Sequence, residues 1–411
     1  MPESESARGT GVLWPVYVRL RGLANSAVDW IVSGRNWQAK ALLAVVAISL
    51  FRAFPDYRPN PRIDQFWRDA MIKVDDPLAD MARRFPIFSH ESKLTFRLTV
   101  PVVAHVLHLR RTGLTILSVL ANLILLYCAL SITWAITGSR RTAFYMALAV
   151  ACVWGGATGF HELRGGFYDS VALCLLLLAM SLSSPVLVGI CAFAAAWTDE
   201  RGLITLPLIS LFLLTQADRL TQADRLTRSN MPRRATEPFT LRQVFTGRPG
   251  AVFLAAVAYL ASRMYLTIAR SLLVSTGGVT PILMTVRPQT HPITIFTALG
   301  GGWLMVVFGL IVLVAAKRYW FATAFCGSLL VVIAAALCVA DRTRSLAYCL
   351  PAVFVGMSIL SESEPGERVE AISMLCCVIS LIVPLFYFQE PFFTMSFPLP
   401  VEGLRWAARY L

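Results

Sequence analysis

Apolar segments that are long enough to cross a membrane recur along almost the whole chain. A bilayer core about 30 Å thick needs roughly 20 apolar residues in a helix, and each backbone amide must be hydrogen-bonded within the segment. The sequence therefore predicts an all-α, polytopic transmembrane helical bundle of about eleven spans, within a range of about ten to twelve. The predicted helices lie at about 39–54, 113–138, 142–160, 169–184, 185–198, 201–215, 249–271, 293–316, 319–340, 344–361 and 370–388.

Composition supports a membrane protein and argues against a nucleic-acid-binding one. Hydrophobic residues make up 56% of the chain and charged residues only 15%, and the mean hydropathy is +0.63. The net charge of +13 comes mostly from basic residues between the apolar segments, where anionic lipids and membrane topology account for it. We therefore expect membrane lipids as partners and no nucleic acid, while the oligomeric state stays open.

Basic residues in the predicted loops set the expected orientation. The segment 97–109 contains Pro101, His105 and His108 and is more typical of a re-entrant or surface helix than of a full span. If it does not cross and the N-terminus is cytoplasmic, the loop 216–248 with its seven arginines is cytoplasmic too, as the positive-inside rule requires. We therefore expect a multi-pass protein of a cell inner membrane with a cytoplasmic N-terminus.

This topology divides the chain into segments of different character. The helices predicted between 169 and 215 are unusually short, so we expect several short helices around an outward-facing cavity. The segments are a cytoplasmic or interfacial N-terminal segment (1–38), a membrane core (39–215) that includes an outer loop (55–112), a basic cytoplasmic loop (216–248), C-terminal transmembrane helices (249–388) and an interfacial C-terminal segment (389–411).

The predicted outer loop contains an acidic stretch with aromatic residues, RIDQFWRDAMIKVDDPLADMARRFP, at 62–86. One interpretation is an amphipathic helix on the membrane surface, with Phe66, Trp67 and Ala70 turned to lipid and the charges in water. The other is that one carboxylate acts as a general base, or steers a divalent cation, at a lipid-linked substrate. Both interpretations stay open on the residues alone, and so does the cofactor.

Directly after the first predicted span come Asp64, Phe66 or Trp67, Ala70, and Asp76 with Pro77. An early outer loop of this form resembles that of the GT-C superfamily of integral-membrane glycosyltransferases. The short helices predicted between 160 and 215 also resemble that superfamily's core of short, tilted spans around an outward cavity. The motif covers about 15 residues and the topology roughly residues 39–215, and neither indicates a particular family.

The resemblance implies an activity and roles for three acidic residues. The donor would be a polyprenyl-phosphate sugar, and the acceptor a lipid or a glycan. Asp64 would be the base that deprotonates the acceptor hydroxyl, with Asp75 or Asp76 as the alternative.

A second polar cluster, GFHELRGGFYDS at 159–170, separates two predicted spans. One interpretation is a polar loop in which Asp169 caps the helix that follows. The other is a part of the substrate site, in which Arg164 binds a phosphate and His161 or Glu162 holds that phosphate or the sugar.

A third cluster, TDER at 198–201, interrupts an apolar run. Thr198 is suited to cap a helix that begins near Asp199, and acidic residues are favourable in a first helical turn. Because the flanking helices are short, the cluster is expected at membrane depth, where one charge costs about 2.5 to 3.5 kcal/mol. We therefore expect Asp199, Glu200 and Arg201 to line a cavity and to bind the substrate.

Arginines predicted on the same face complete the candidate site. Arg263 and Arg270 are seven residues apart and so share one face of the helix 249–271 near its outer end. They either extend to lipid headgroups or bind a lipid phosphate. Arg342 and Arg344, in DRTRS, are weaker candidates on this face.

The resemblance implies a membrane glycosyltransferase that moves a sugar from a polyprenyl-phosphate donor to an acceptor, and the predicted topology places it at the outer face. Asp64 would act as the base, while Arg201, Arg263 and Arg270 neutralise the departing phosphate. One alternative is a transporter or flippase of an anionic lipid or solute, with the same arginines as ligands. The other is a non-enzymatic membrane scaffold. No set of metal ligands is predicted.

Overall fold

The structure is a computed structural model and describes the chain in several stretches. These are residues 22, 25–55, 61–86, 91–161, 168–228, 245, 247–273, 291–339, 341–389 and 392–408. For 61–63, 218–228, 388–389 and 392–394 it describes the backbone only.

The described residues form an all-α bundle with one short β-hairpin. A helical segment at 25–32 precedes the first of the helices that are numbered here. Short 3-10 helices lie at Glu91–Phe96, Gly300–Gly302 and Ala347–Cys349. The elements are α1 (Trp37–Arg52), α2 (Pro61–Asp75), α3 (Met81–Arg84), α4 (Thr99–Val106), α5 (Arg111–Thr137), α6 (Arg140–Ala151), α7 (Trp154–His161), α8 (Asp169–Ser181), α9 (Pro185–Thr198), α10 (Glu200–Arg228), α11 (Gly247–Ala269), α12 (His291–Leu299), α13 (Trp303–Ala315), α14 (Tyr319–Leu337), α15 (Arg342–Leu346), α16 (Leu350–Ser363), α17 (Gly366–Ile382), β1 (Leu385–Gln389), β2 (Phe392–Ser396) and α18 (Leu399–Ala407).

Each segment predicted to span the membrane contains a helix or a broken pair of helices. Among the described residues, five are long and apolar enough to cross: α5, α11, α14, and the segments His291–Ala315 and Arg342–Ser363. The pair α6 and α7, which is bent by 59°, makes a sixth if it is one span, and α8 and α9 are apolar but shorter. The protein therefore has the helices of a membrane protein.

The segment 97–109 forms only the short helix α4. Its eight residues span about 12 Å at the helical rise of 1.5 Å per residue. This length is far below the thickness of a bilayer core, in agreement with the prediction that the segment is not a full span. The backbone N–H of Leu98, just before α4, donates to the carbonyl oxygen of Trp197 at 2.8 Å.

Polar contacts join the helix termini at two ends of the bundle. At one end, Arg52 at the end of α1 donates to the carbonyl oxygens of Cys152 at 2.8 Å and of Leu381 at 2.9 Å. Asp169 at the start of α8 and Asp199 and Arg201 at the junction of α9 with α10 also lie at this end. It is called the network end below. The N–H of Phe54 donates to the carbonyl of Phe397 at 3.0 Å, so the hairpin region lies there too.

The opposite end holds the other termini of the same helices. Ser139, before α6, donates to Glu370 in the first turns of α17 at 3.1 Å. Arg318, before α14, pairs with Glu362 at the end of α16 at 3.3 Å. Arg248, in the first turn of α11, donates to the carbonyl of Leu182 after α8 at 3.4 Å. Successive long helices therefore run in alternate directions between the two ends.

The segment Arg342–Ser363, made of α15, a 3-10 turn and α16, lies at the centre of the bundle. Of its most apolar stretch, 89% is buried, against 17% for α11. Gly356 brings its backbone against α13, because a Cβ there would lie 2.3 Å from the carbonyl oxygen of Met305. Gly309 faces it, and a Cβ there would lie 2.7 Å from the Cα of Gly356. Such small-residue contacts are typical of helices that pack within a membrane.

Large apolar side chains cover the outside of the bundle. On α11 they follow one another at helical spacing, as expected for a surface that faces lipid tails. The exposed residues of this face are Phe253, Leu254, Val257, Leu260, Met264, Tyr265 and Ile268.

A helical arm, which consists of α2, α3, the 3-10 helix Glu91–Phe96 and α4, covers part of the network end. Trp67 and Ala70 of α2 are buried against Val100 of α4, Leu114 of α5 and Tyr168. The expectation that Trp67 and Ala70 face lipid is therefore wrong, because their side of the amphipathic helix packs on protein.

The buried Lys73 connects parts of the arm to each other. Its Nζ donates to the carbonyl oxygen of Ala79 at 3.0 Å and to that of Thr95 at 2.8 Å. Burial lowers the pKa of Lys73 to about 8.

Two predicted boundaries are wrong. The helix predicted at 201–215 extends to Arg228 and so takes in the first part of the loop predicted at 216–248. The helix predicted at 370–388 ends at Ile382, and the chain continues as an antiparallel hairpin in which Leu385 pairs with Ser396.

Candidate functional site

Six charged residues form a buried charge network at the network end of the bundle. They come from four parts of the chain that are distant in sequence: the residue after the 3-10 helix of the arm, the start of α8, the junction of α9 with α10, and the residues around the start of α15. The members of this charge network are Arg97, Asp169, Asp199, Arg201, Asp341 and Arg344.

Asp199 breaks the helix between α9 and α10 and starts the second one. Its backbone is extended, with φ −153° and ψ 136°, and its Oδ1 accepts from the backbone N–H of Arg201 at 3.0 Å. Thr198 instead donates to the carbonyl of Ala194, one turn earlier, at 2.8 Å. The predicted cap at Thr198 is therefore wrong, and Asp199 caps α10.

The Asp199 carboxylate is bound on both oxygens. The Nε of Arg201 donates to Oδ1 at 2.6 Å, and its Nη2 donates to Oδ2 at 2.7 Å. Arg97 also approaches Oδ2 through Nη2 at 2.9 Å. The two-pronged contact with Arg201 is the strong geometry of guanidinium and carboxylate.

Asp169 lies between two arginines from different helices. Its Oδ1 accepts from Nη2 of Arg201 at 2.7 Å and from the hydroxyl of Tyr348 at 3.1 Å, while its Oδ2 accepts from Nε of Arg344. The predicted role of Asp169 as a helix cap is wrong, since these contacts take its side chain across the bundle and away from the first turn of α8.

Arg344 links Asp169 to Asp341 and the β-hairpin. Its Nη1 donates to Oδ2 of Asp341 at 2.7 Å, and the hydroxyl of Tyr387 on β1 donates to the same oxygen at 3.2 Å. Tyr387 also stacks on Trp154 with ring centres 4.7 Å apart. Burial raises the pKa of Asp341, and the positive charge of Arg344 opposes that change.

The charge network is balanced and mostly closed to solvent. It contains three arginines and three aspartates, and the side chains of Asp169, Asp199 and Arg344 are only 1%, 2% and 2% exposed. Those of Arg201 and Asp341 are 17% and 19% exposed. Most of these side chains therefore face each other, and only Arg201 and Asp341 keep a small exposed part.

Glu200 and Arg263 form a smaller pair beside the charge network. The Nη2 of Arg263 lies 3.3 Å from Oε1 of Glu200, and the guanidinium group lies 4.4 Å from the ring centre of Phe96 in the arm. Arg270, one residue beyond the end of α11, is exposed. Arg263 is therefore held by a carboxylate, whereas Arg270 is not in ion-pair contact with any described residue.

Lys93 lies on the 3-10 helix of the arm and interacts electrostatically with the charge network. Burial lowers its pKa, and Arg97 and Arg201 lower it further, while Glu200 and Asp341 act in the opposite direction. The side chain is half-buried. Within the described parts of the chain, no carboxylate forms an ion pair with its ammonium group.

The three catalytic candidates lie on the arm and outside the charge network. Asp64 pairs with Arg111 at 2.7 Å, and both side chains are 53% exposed. Asp75 pairs with Arg110 and is 58% exposed. Asp76 accepts from the backbone N–H of Leu78 at 3.1 Å in a local turn.

The arm and the charge network meet at one side chain. Tyr168 directly precedes Asp169 and packs on Trp67 and Val74 of α2. The helix that carries Asp64 is therefore anchored on the residue next to the centre of the charge network.

The second predicted cluster is only partly described. His161 ends α7, and its ring centre lies 5.6 Å from that of Trp154. Glu162 and Arg164 lie outside the described residues.

Metal ligands are not grouped in the described part of the chain. No set of three or more His, Cys, Asp or Glu side chains there is arranged to hold a metal ion. The carboxylates of the charge network have guanidinium and hydroxyl groups as neighbours instead.

Several members of the site were not predicted from the sequence. Arg97 appeared only as part of a helix, Arg344 only as a weaker candidate, and Asp341, Tyr348 and Tyr387 carried no role. The sequence feature that could have indicated these residues is the free-energy cost of a charged side chain in apolar surroundings. Arg344 and Asp341 stand between two long apolar runs, as Asp199 and Arg201 do.

Comparison with known proteins yields no match: no family model, no curated protein and no solved structure matches this chain.

Proposed function

We propose that the chain crosses a cell inner membrane eleven times, with its N-terminus in the cytoplasm. The alternating direction of the long helices supports an odd number of crossings between the N-terminal segment and α17. The opposite end carries Arg140, Arg141, Lys317 and Arg318 at helix starts. The positive-inside rule favours that end for the cytoplasm, so the network end would face outward.

The proposed activity is that of a glycosyltransferase that takes a sugar from a polyprenyl-phosphate donor. The acceptor hydroxyl attacks the anomeric carbon, forming the new glycosidic bond. The bond between that carbon and the phosphate oxygen breaks, and its electron pair leaves with the phosphate. The hydroxyl proton passes to a carboxylate, for which Asp64 is the candidate.

One observation carries this assignment of the base. A general base must be reachable and must have an oxygen that is free to take a proton. In Asp64 a single hydrogen bond, from Arg111, reaches Oδ1, and among described residues no group donates to Oδ2. The carboxylates of Asp169 and Asp199, by contrast, are buried and accept hydrogen bonds on both oxygens.

The hydrogen bonds that Arg201 already makes within the protein argue against Arg201 as a ligand of the phosphate. Arg201 donates through Nε, Nη1 and Nη2 to Asp199, Ser345 and Asp169, so its role is to hold the helices at the network end together. Arg270 keeps an exposed charge, which suits the neutralisation of a departing lipid phosphate.

The test is sugar transfer by the purified full chain in lipid nanodiscs. A polyprenyl-phosphate hexose is supplied in the disc together with a glycan acceptor, and release of polyprenyl phosphate is followed. We expect Asp64→Asn to lower the rate by about 10²- to 10⁴-fold, the usual contribution of a general base. The matched control is Asp29→Asn, which removes an exposed carboxylate from the opposite end.

Two results would sink the proposal. One is full transfer by both Asp64→Asn and Asp76→Asn. The other is movement of the donor lipid across the membrane without any transfer, which would favour a flippase.

A further inference from the structure

Two basic side chains hold the turn that leads into α1 at the opposite end of the bundle. The Nζ of Lys40 donates to the carbonyl oxygen of Trp30. The Nη1 of Arg140, the first residue of α6, donates to the carbonyl oxygen of Gly34 at 3.2 Å. The two carbonyl groups are four residues apart on one turn, so Lys40 and Arg140 come together there although they are distant in sequence.

The positive charges of Lys40 and Arg140 are not balanced by a carboxylate from the described residues. The neighbouring Arg141 differs, because it donates to Asp29 at 2.7 Å and lies 3.7 Å from Glu370. Arg140 donates to carbonyl oxygens through Nη1 alone, and in the described part of the chain nothing accepts from its Nε or Nη2. Two positive charges with unused N–H groups therefore lie at this turn, where they attract an anion.

An exposed tryptophan lies beside these two charges. The Nζ of Lys40 is 4.8 Å from the ring centre of Trp30, and Trp30 is 69% exposed. Arg140 is exposed as well, and Lys40 is half-buried. Tryptophan next to basic side chains is typical of the boundary between a membrane and water.

An apolar row on α1 continues from this turn toward the network end. Leu43 is 72% exposed and Phe51 is 57% exposed, whereas Ala41 and Val45 on the other face of α1 are buried. Leu43 comes three residues after Lys40, so the two side chains are neighbours on the helix surface. The charged turn therefore lies directly above a surface that suits lipid tails.

We propose that Lys40 and Arg140 form a binding site for the phosphate of an anionic phospholipid, with Trp30 beside the glycerol region and an acyl chain along the exposed row of α1. A soluble anion would use only the two charges and would leave the apolar groups without contact. A zwitterionic phospholipid carries its own cation beside the phosphate and so gains less from the two charges. The site does not depend on the proposed sugar transfer.

Native mass spectrometry of the full chain in detergent micelles tests the site. The probes are phosphatidylglycerol and phosphatidylcholine, with inorganic phosphate as a competitor, and the affinity for the first bound lipid is measured. We expect phosphatidylglycerol to bind more tightly than phosphatidylcholine. Arg140→Gln and Lys40→Gln should each weaken phosphatidylglycerol by roughly fivefold, the usual contribution of one basic side chain at an anionic surface.

The matched control is Lys317→Gln, which removes the same charge at the same end of the bundle. Lys317 is exposed and forms no ion pair with a described residue, but it lies outside the turn. Its substitution should leave the affinity for phosphatidylglycerol within about twofold. A melting temperature measured without added lipid shows whether each variant is folded.

Trp30→Ala tests the apolar part of the site without removing a charge. Because Trp30 is mostly exposed, this variant should fold even if a charge variant does not. It should weaken phosphatidylglycerol and phosphatidylcholine by similar factors, since both lipids have the same glycerol and acyl groups.

Three results would overturn the inference. One is a loss of phosphatidylglycerol binding by Lys317→Gln as large as that by Arg140→Gln, which would indicate an effect of total charge alone. Another is displacement of phosphatidylglycerol by an equal concentration of inorganic phosphate. The third is an unchanged affinity for both lipids in Trp30→Ala. Failure of sugar transfer would leave the site standing, because none of its residues belongs to the proposed transfer site.

Discussion

The charge network and the helical arm both pair aspartates with arginines, but they use these pairs in different surroundings. The side chain of Asp169 in the charge network is 1% exposed, and its neighbour Arg344 is 2% exposed. On the arm, Asp64 and Arg111 are both 53% exposed. Breaking a buried pair leaves a desolvated charge and is strongly destabilising, whereas an exposed pair contributes little. The buried pairs therefore hold the helices together, and the exposed carboxylates are available for chemistry.

The largest effect is expected from removal of Asp169. Asp169→Ala leaves Arg201 and Arg344 without this shared carboxylate, and the loss should lower the free energy of unfolding by about 3 to 5 kcal/mol. Denaturant titration of the protein in detergent micelles measures it. Asp75→Ala, which breaks an exposed pair on the arm, is the matched control. Equal, small effects of both changes would contradict the division into buried and exposed pairs.

The next largest effect on stability is expected from a substitution that separates the arm from the bundle. Trp67 is buried against Tyr168, and Trp67→Ala should destabilise the packing of the arm by about 3 kcal/mol. Hydrogen exchange of the α2 amides reports this opening, with the exposed neighbour Arg68→Ala as control. Exchange in α2 that is unchanged by Trp67→Ala would mean that the arm is held by other contacts.

A pH dependence of the arm follows from Lys73. Burial lowers its pKa from 10.5 to about 8, so between these values the unfolded arm binds the proton more tightly than the folded arm. Stability of the arm is therefore lower below about pH 8 and rises with pH through this window, by at most about 3 kcal/mol.

Hydrogen exchange of the α2 amides, corrected for the intrinsic rate, measures this rise. Lys73→Met should leave the arm folded and remove the part of this rise that comes from Lys73, while the lowered pKa of Lys93 keeps a remaining part. A stability that falls as the pH rises through the same window would show that hydrogen bonds to Ala79 and Thr95 favour the charged form more than burial disfavours it.

The smallest effect on stability is expected from Asp64. Asp64→Ala removes an exposed pair with Arg111 and should change the free energy of unfolding by less than about 1 kcal/mol. Arg111→Ala should have an equally small effect in the same denaturant titration. A loss comparable to that of Asp169→Ala would show that Asp64 is a structural residue.

The positions of the helices were predictable from the sequence because apolar length is a local property. The C-terminal end of α10 was harder to predict from the sequence. Its last part, TQADRLTQADRL, has good helix formers but no apolar face, and its polarity favours a loop. The strand Leu385–Gln389, LFYFQ, is a short apolar and aromatic run. Such a run after an apolar helix is ambiguous between helix and strand, although its aromatic residues favour a strand.

The candidate site was predictable only in part, because its pairs join distant positions. Asp199 and Arg201 are neighbours in sequence, and their placement in an apolar run indicated a special role. The contact of Arg344 with Asp169 joins residues 175 positions apart, and only the folded arrangement of the helices creates it. Which carboxylates are saturated, and which keep a free oxygen, follows from that packing and not from residue type.

The central claim is that the exposed Asp64 is the reactive carboxylate and the buried charge network is its support. The most direct measurement is the rate of sugar transfer by Asp64→Asn in nanodiscs, with its melting temperature determined on the same sample. The account predicts a rate at least about 100-fold lower at an unchanged melting temperature. Transfer at the unsubstituted rate would contradict it, as would a loss of rate that only accompanies a lower melting temperature.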